Sequence, residues 1–209
     1  VSPAPLRLTV SDLACERGGR AVFAGVSFAA GAGDLVAVVG HNGAGKSSLL
    51  RVIAGLVPKA AGSVVVEGAE TSGDEGRPSG EHMHYCGHAD ALKPALTVRE
   101  NLAFWRDYYG GAALAPEDAL DLFAIEPLAD LPAAYLSAGQ KRRLALCRLF
   151  VSYRPVWLLD EPTSALDVAT QARLSERMRE HLAGGGIILA ATHGDLGLAP
   201  ALVLTIGAA

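Results

Sequence analysis

The chain has 209 residues, 50% of them apolar and 19% charged, with a formal net charge of −4. That length can bury a sizeable core as one domain or a domain with a small lobe, but no run approaches the ~18 apolar residues of a bilayer span. The acidic balance argues against a general nucleic-acid binder, and the scattered Cys15, Cys86 and Cys147, without CxxC spacing, fit a reducing compartment. No basic-plus-apolar leader opens the chain, so export by itself is not expected.

Residues 6–13 and 22–30 read as two β segments joined by the polar turn Arg17-Gly18-Gly19-Arg20. After Gly31-Ala32-Gly33-Asp34, the apolar run Leu35-Val36-Ala37-Val38-Val39 reads as a buried strand. It leads into Gly40-His41-Asn42-Gly43-Ala44-Gly45-Lys46-Ser47, and Ser48-Leu49-Leu50-Arg51-Val52-Ile53-Ala54 continues with helical character. Strand, glycine-rich turn and helix start form the context of a phosphate-binding P-loop. Gly40, Gly43 and Gly45 let successive N–H groups curl inward at an anion, and the helix adds its positive end. Lys46 is then placed to reach the β- and γ-phosphates, and the Ser47 hydroxyl to ligate Mg²⁺. This pattern predicts binding of a nucleoside triphosphate.

Gly55-Leu56-Val57-Pro58 stops the helix, and Ser63-Val64-Val65-Val66-Glu67 is a short β-branched strand. Residues 71–81, rich in Gly, Ser, Pro and charge, read as an exposed loop. A strand over residues 82–88 would put His82, His84, Cys86 and His88 on one face, ligand types suited to zinc or haem iron. Paired-ligand spacing and a CxxCH attachment are both missing, so an ordinary strand near the nucleotide is the preferred reading.

Residues 97–109 predict a helix capped by Thr97 with Glu100 three residues on, and Val98, Asn101, Leu102 and Trp105 at helical spacing. Residues 116–123 predict a second helix with Pro116 in its first turn. Residues 127–132 break the pattern, and about 92–135 reads as a helical lobe. A further helix spans 139–151. Val156-Trp157-Leu158-Leu159 is a buried strand delivering Asp160 and Glu161 at its carboxyl end. Asp160 can hold Mg²⁺, and Glu161 can polarise the water that attacks the γ-phosphate. A charged amphipathic helix over 169–182, a buried strand over 187–191 and an edge strand over 202–206 complete the chain. His193 follows the second buried strand, where it can contact the γ-phosphate.

The run Leu136-Ser137-Ala138-Gly139-Gln140 completes a set with residues 40–47, Leu158-Leu159-Asp160-Glu161-Pro162, Ser164-Ala165-Leu166-Asp167 and His193. Together they resemble the ATP-binding cassette of ABC transporters, over essentially the whole chain. The resemblance implies an α/β fold: a P-loop NTPase core of ABC cassette type, with a small antiparallel β portion and a helical lobe, as one ATP-binding domain over 1–209. It implies ATP and Mg²⁺ as cofactors. It also implies a head-to-tail homodimer, each ATP lying between one subunit's P-loop (Gly40 to Ser48) and the partner's Ser137, Ala138, Gly139 and Gln140. Asp167 would lie in the contact loop between the two sites. The chain departs from the family pattern at three points. Ala138 stands where most cassettes have Gly. No Gln occupies the loop position at His88 or Ala89. The aromatic residue that usually stacks on adenine falls near Arg17, whose guanidinium can stack on a base instead.

Cys15-Glu16-Arg17, Leu-Ser-Ala-Gly-Gln followed by Lys-Arg-Arg, and Tyr-Cys-Gly-His before the lobe look like the ATPase subunit of the cytochrome c maturation haem exporter. That finer resemblance implies integral membrane partner subunits, a peripheral place on the cytoplasmic face of a bacterial inner membrane, and haem handled by the complex rather than bound by this chain. No nucleic-acid partner is implied. The alternatives are the ATPase subunit of a lipid or drug exporter and a soluble ABC-type mechanical ATPase. The latter usually carries two cassettes or coiled-coil insertions, which this chain lacks.

Overall fold

The computed structural model describes residues 4–69, 79–110 and 113–207, with residues 79 and 80 described by their backbone alone. They fall into two compact units. The first holds residues 1–85, 154–162 and 178–209; the second holds 86–153 and 163–177.

The first unit contains two sheets. Strands β1 (Arg7–Arg17), β2 (Arg20–Gly31) and β4 (Ala61–Glu67) form an antiparallel sheet ordered β2-β1-β4. The hairpin extends further toward its turn than residues 6–13 and 22–30, because a bulge at Ser11 and Asp12 resets the register and lets pairing continue to Arg17 and Arg20. Asp12 takes a left-handed φ of 48° there, and its N–H donates to Ser27 Oγ at 2.8 Å. The second sheet has the order β5-β6-β7-β3-β8, from β3 (Leu35–Val39), β5 (Met83–Cys86), β6 (Val156–Asp160), β7 (Ile187–Ala191) and β8 (Leu202–Thr205). β3 pairs in parallel with β7 and β8, and β6 with β7. β6 and β7 are buried at every residue, as central parallel strands covered on both faces require, so they read as continuous apolar runs without alternation. β8 is an edge strand, as its sequence suggests.

Helix α1 (Lys46–Ile53) buries Leu49, Leu50, Val52 and Ile53 in one core with Leu8, Val10 and Leu13 of the antiparallel sheet and Val36, Val38, Leu158 and Leu189 of the parallel one. Each such aliphatic side chain contributes about 1.5–3 kcal/mol on full burial, so this layer fixes the start of α1 against the ends of β3 and β6.

Most of the loop expected over 71–81 lies outside the described residues; its last residues form the 3-10 turn Ser79–His82. The strand expected over 82–88 is shorter. His82 belongs to the turn, β5 ends at Cys86, and exposed His88 lies beyond it, so the four side chains do not form one strand face.

The second unit is helical: α2 (Val98–Tyr109), α3 (Pro116–Asp121), α4 (Ala138–Val151) and the start of α5 (Val168–Ala183). Its core includes Leu102, Leu120, Phe123, Ile125, Leu144 and Leu146, each nearly inaccessible. α2 and α4 both begin with a reciprocal capping box, Thr97 with Glu100 and Ser137 with Gln140. Asn101, polar at a core-facing position, is buried and satisfied. Its amide donates to the carbonyls of Lys93, Leu96 and Thr97, and its oxygen accepts from Lys93 N–H. Residues 126–135 replace regular helix with the 3-10 turns Glu126–Leu128 and Ala133–Tyr135.

Candidate functional site

The P-loop leaves β3 at Gly40, whose φ is +150°; a Cβ there would lie 2.3 Å from the Ile206 carbonyl oxygen. Gly45 caps α1 at φ +103°, where a Cβ would meet Val22 Cγ1 at 2.9 Å. Backbone shape and close approach therefore both demand glycine at these two positions. His41, Asn42 and Gly43 face solvent, Ala44 is buried, and Ser47 and Ser48 are half-buried in the first turn of α1. Lys46 is buried, and its ammonium donates to Gly40 O (2.8 Å), His41 O (3.2 Å) and His193 Nε2 (2.8 Å). Accepting from Lys46 puts the imidazole proton of His193 on Nδ1.

β6 carries Asp160, 1% exposed, to the same end of the sheet. Ser47 Oγ donates to Asp160 Oδ1 at 3.0 Å, and Tyr85 Oη donates to Oδ2 at 3.5 Å. Arg51 Nε donates to Tyr85 Oη at 3.0 Å. Burial raises the Tyr85 pKa, with the Arg51 hydrogen bond opposing and Asp160 adding to the rise, so the phenol stays a donor at neutral pH. The hydrogen bond to Tyr85 raises the Arg51 pKa in turn. Next along, Glu161 takes a left-handed φ of 48° while its N–H donates to Ala191 O of β7 at 2.8 Å. This kink turns Glu161 away from the direction of Asp160. Its Oε1 lies 3.7 Å from His193 Nε2.

The first unit thus brings Gly40, Gly43, Gly45, Lys46, Ser47, Asp160, Glu161 and His193 together. A buried ammonium, the N-terminus of α1 and the curled loop are suited to a polyphosphate anion. Ser47 and Asp160 supply two hard oxygen donors of the kind Mg²⁺ takes. From the sequence Tyr85 enters only as part of the Tyr-Cys-Gly-His run and Arg51 only as a helix residue, neither as a member of the site. The only hint was that Arg51 follows Ser47 by four residues and therefore shares its face of α1.

The second unit holds Ser137, Ala138, Gly139 and Gln140 at the start of α4. Ser137 and Ala138 are exposed. Ser137 Oγ accepts from Gln140 N at 3.3 Å, and Gln140 Oε1 turns back to accept from Ser137 N at 2.8 Å. Ala138 is the first helical residue, whose methyl points to solvent, whereas a Cβ on Gly139 would stand 3.0 Å from Ala165 O. Asp167 pairs with Arg143 and accepts from Thr170 N at 2.8 Å; the Thr170 N–H is the leading cause of its lowered pKa, with Arg143 adding to it. His88 and Ala89 are exposed in the loop after β5. Arg17 is exposed at the hairpin end of β1, paired across the ladder with Arg20. It is not among the groups gathered around Lys46.

Comparison with known proteins matches the ABC transporter family model over residues 23–164. The chain is 57% identical over 204 residues to a protein named cytochrome c biogenesis ATP-binding export protein CcmA from Nitrobacter winogradskyi, covering 98% of this chain and 100% of that one. It is 55% identical to a protein of the same name from Rhodopseudomonas palustris, covering 97% of this chain and 98% of that one. Among solved structures, one described as the ATP-binding subunit of an ABC transporter superposes with a TM-score of 0.77 at 29% identity, over 89% of this chain and 79% of that one. A putative ABC transporter ATP-binding protein from Pyrococcus furiosus shares the fold at a TM-score of 0.78 and 20% identity, covering 96% and 97% of the two chains.

Proposed function

The chain belongs to the ATP-binding proteins of ABC transporters, and from that premise we propose that it binds and hydrolyses ATP to drive a membrane export complex serving c-type cytochrome biogenesis. The observation that carries this reading is the convergence of Lys46, His193 and Glu161 beside the Ser47–Asp160 pair. The loop N–H groups from Gly40 to Ser48 and the Lys46 ammonium bind the triphosphate. Glu161 orients, and draws the proton from, the attacking water, and His193, held by the Lys46 ammonium, contacts the γ-phosphate. Ser47 and Asp160 would hold Mg²⁺, which would supply positive charge to the triphosphate. Arg17 supplies a guanidinium for the adenine face.

Two copies act head to tail within one ATP-binding domain design, the helical lobe included. Exposed Ser137, with Ala138, Gly139 and Gln140 at the tip of α4, meets the γ-phosphate held by the other copy's P-loop. The solvent-facing Ala138 methyl supports the view that alanine is tolerated there. ATP stabilises the closed dimer, and hydrolysis releases it. The chain works peripherally, on the cytoplasmic face of the inner membrane, with integral membrane subunits that handle haem; among the described residues no helix is long and apolar enough to cross a membrane.

Glu161→Gln tests the chemistry. It keeps ATP binding, lowers turnover by at least ~100-fold, and accumulates an ATP-bound dimer by light scattering. Turnover close to that of the parent chain refutes the role given to Glu161. Affinity isolation from native membranes tests the partners: haem-handling membrane subunits are expected, and a drug-type permease in their place overturns the assignment.

A further inference from the structure

Four side chains from three elements, the Asp160 carboxylate among them, close a ring of hydrogen bonds. Ser47 and Arg51 stand four residues apart on α1, and so on one face of it. Ser47 Oγ donates to Asp160 Oδ1 at 3.0 Å. Tyr85 on β5 donates to the other oxygen, Oδ2, at 3.5 Å. Arg51 Nε donates to Tyr85 Oη at 3.0 Å and returns the circuit to α1. Asp160 lies on a strand whose every residue is buried, so its carboxylate has little room, and each of its oxygens meets a hydroxyl.

We infer that Tyr85, held by Arg51, is a positioning residue that sets the rotation of the Asp160 carboxylate so that Oδ1 faces Ser47 and the divalent cation of the nucleotide. This deepens the assignment of Ser47 and Asp160 as the cation's ligands and rests on it. The chemistry is simple. A carboxylate free to rotate about its last bond offers the cation either oxygen or a compromise between them. A hydroxyl that donates to Oδ2 selects one orientation before the ion arrives. Arg51 limits which way the phenol hydrogen can point, because the guanidinium already donates to the phenol oxygen. Tyr85 touches neither the triphosphate cradle nor Glu161 in the hydrogen bonds described, so its removal acts on the cation step alone.

The test uses the full chain in a Glu161→Gln background with ATP present, reading Mn²⁺ occupancy by electron paramagnetic resonance and ATP binding without metal by a fluorescent analogue. Tyr85→Phe keeps the ring and deletes only the hydroxyl. It is expected to raise the Mn²⁺ concentration for half occupancy roughly three- to ten-fold and to leave metal-free nucleotide binding unchanged. Arg51→Gln is expected to move Mn²⁺ occupancy in the same direction. It stands in for Tyr85→Phe should that variant lose metal-free binding through misfolding. Ser47→Ala separates the two levels of the argument. If Ser47→Ala weakens Mn²⁺ binding while Tyr85→Phe does not, the tyrosine assignment is overturned and the ligand assignment survives. If Ser47→Ala also has no effect, both fall together.

Discussion

Acidification is expected to weaken the fold through one half-buried histidine. His181, in the last turn of α5, stacks on Trp157 of β6 with ring centroids 3.8 Å apart and an interplanar angle of 13°. Its Nε2–H donates to Pro155 O at 3.2 Å. Burial pushes its pKa down from 6.5 to about 4, against the opposing pull of the hydrogen bonds to the backbone of Pro155 and Ile187. In the unfolded chain the imidazole takes a proton near pH 6.5, whereas the folded chain resists until about pH 4. The stabilisation from keeping it neutral is therefore whole above pH 6.5 and is lost as pH falls toward 4. At about 1.36 kcal/mol per pH unit of that gap, the loss is about 2 kcal/mol at pH 5 and about 3 kcal/mol at pH 4. Carboxylates also titrate in this range, so the measurement must isolate the histidine. Urea unfolding of the full chain at pH 7 and pH 5, compared with His181→Gln, does this. Glutamine can still donate to Pro155 O but carries no proton equilibrium here. The variant is less stable at pH 7, having lost the stack on Trp157, and the gap between the two proteins narrows by about 2 kcal/mol at pH 5. An equal gap at both pH values would refute a histidine kept neutral by its packing on Trp157.

Lys46→Ala is expected to weaken ATP binding by roughly ten-fold or more, since the phosphates lose a charge-assisted donor; equilibrium binding of a fluorescent ATP analogue measures it, and unchanged affinity would remove Lys46 from the site. Ser137→Ala removes the α4 cap, which costs about 1 kcal/mol of stability, and also the hydroxyl offered to the opposite nucleotide. Thr97→Ala removes the equivalent cap from α2 and touches no residue assigned to the nucleotide. In the Glu161→Gln background, light scattering should therefore find the ATP-bound dimer lost in Ser137→Ala and kept in Thr97→Ala. Equal loss in both would reduce Ser137 to a helix cap.

Much of the site could be read from the chain because its signals are local. The P-loop is a contiguous word, and a capping box spans four residues, so Thr97 marks the start of α2 to the residue, whereas the start of α4 is read at 139, one residue after its first residue Ala138. β7 could be bounded because a strand buried on both faces is apolar throughout and Gly184-Gly185-Gly186 precedes it. The remainder depended on contacts distant in sequence. Nothing near Tyr85 indicates that its hydroxyl meets Asp160, 75 residues away. Nothing near His181 signals a ring stacked on Trp157. In β1 the bulge at Asp12 shifts the alternation by one, so a period-two reading stops at Leu13 although the ladder continues. Over residues 82–88 the alternation of His and Cys suggested one strand. Local geometry instead gives His82 to a helical turn and ends the strand at Cys86.

The place of β7 between β3 and β6 has a consequence for how this cassette can be re-engineered. The lysine and the carboxylates come from elements on opposite sides of that strand, and β7 serves both: its Ala191 carbonyl anchors Glu161, and its continuation delivers His193 to Lys46. A one-residue deletion within it would put both attachments out of phase at once, whereas a graft at the Gly184-Gly185-Gly186 approach leaves the phase untouched. Reporter insertions and circular permutants should therefore leave the run from Ile187 to His193 uninterrupted.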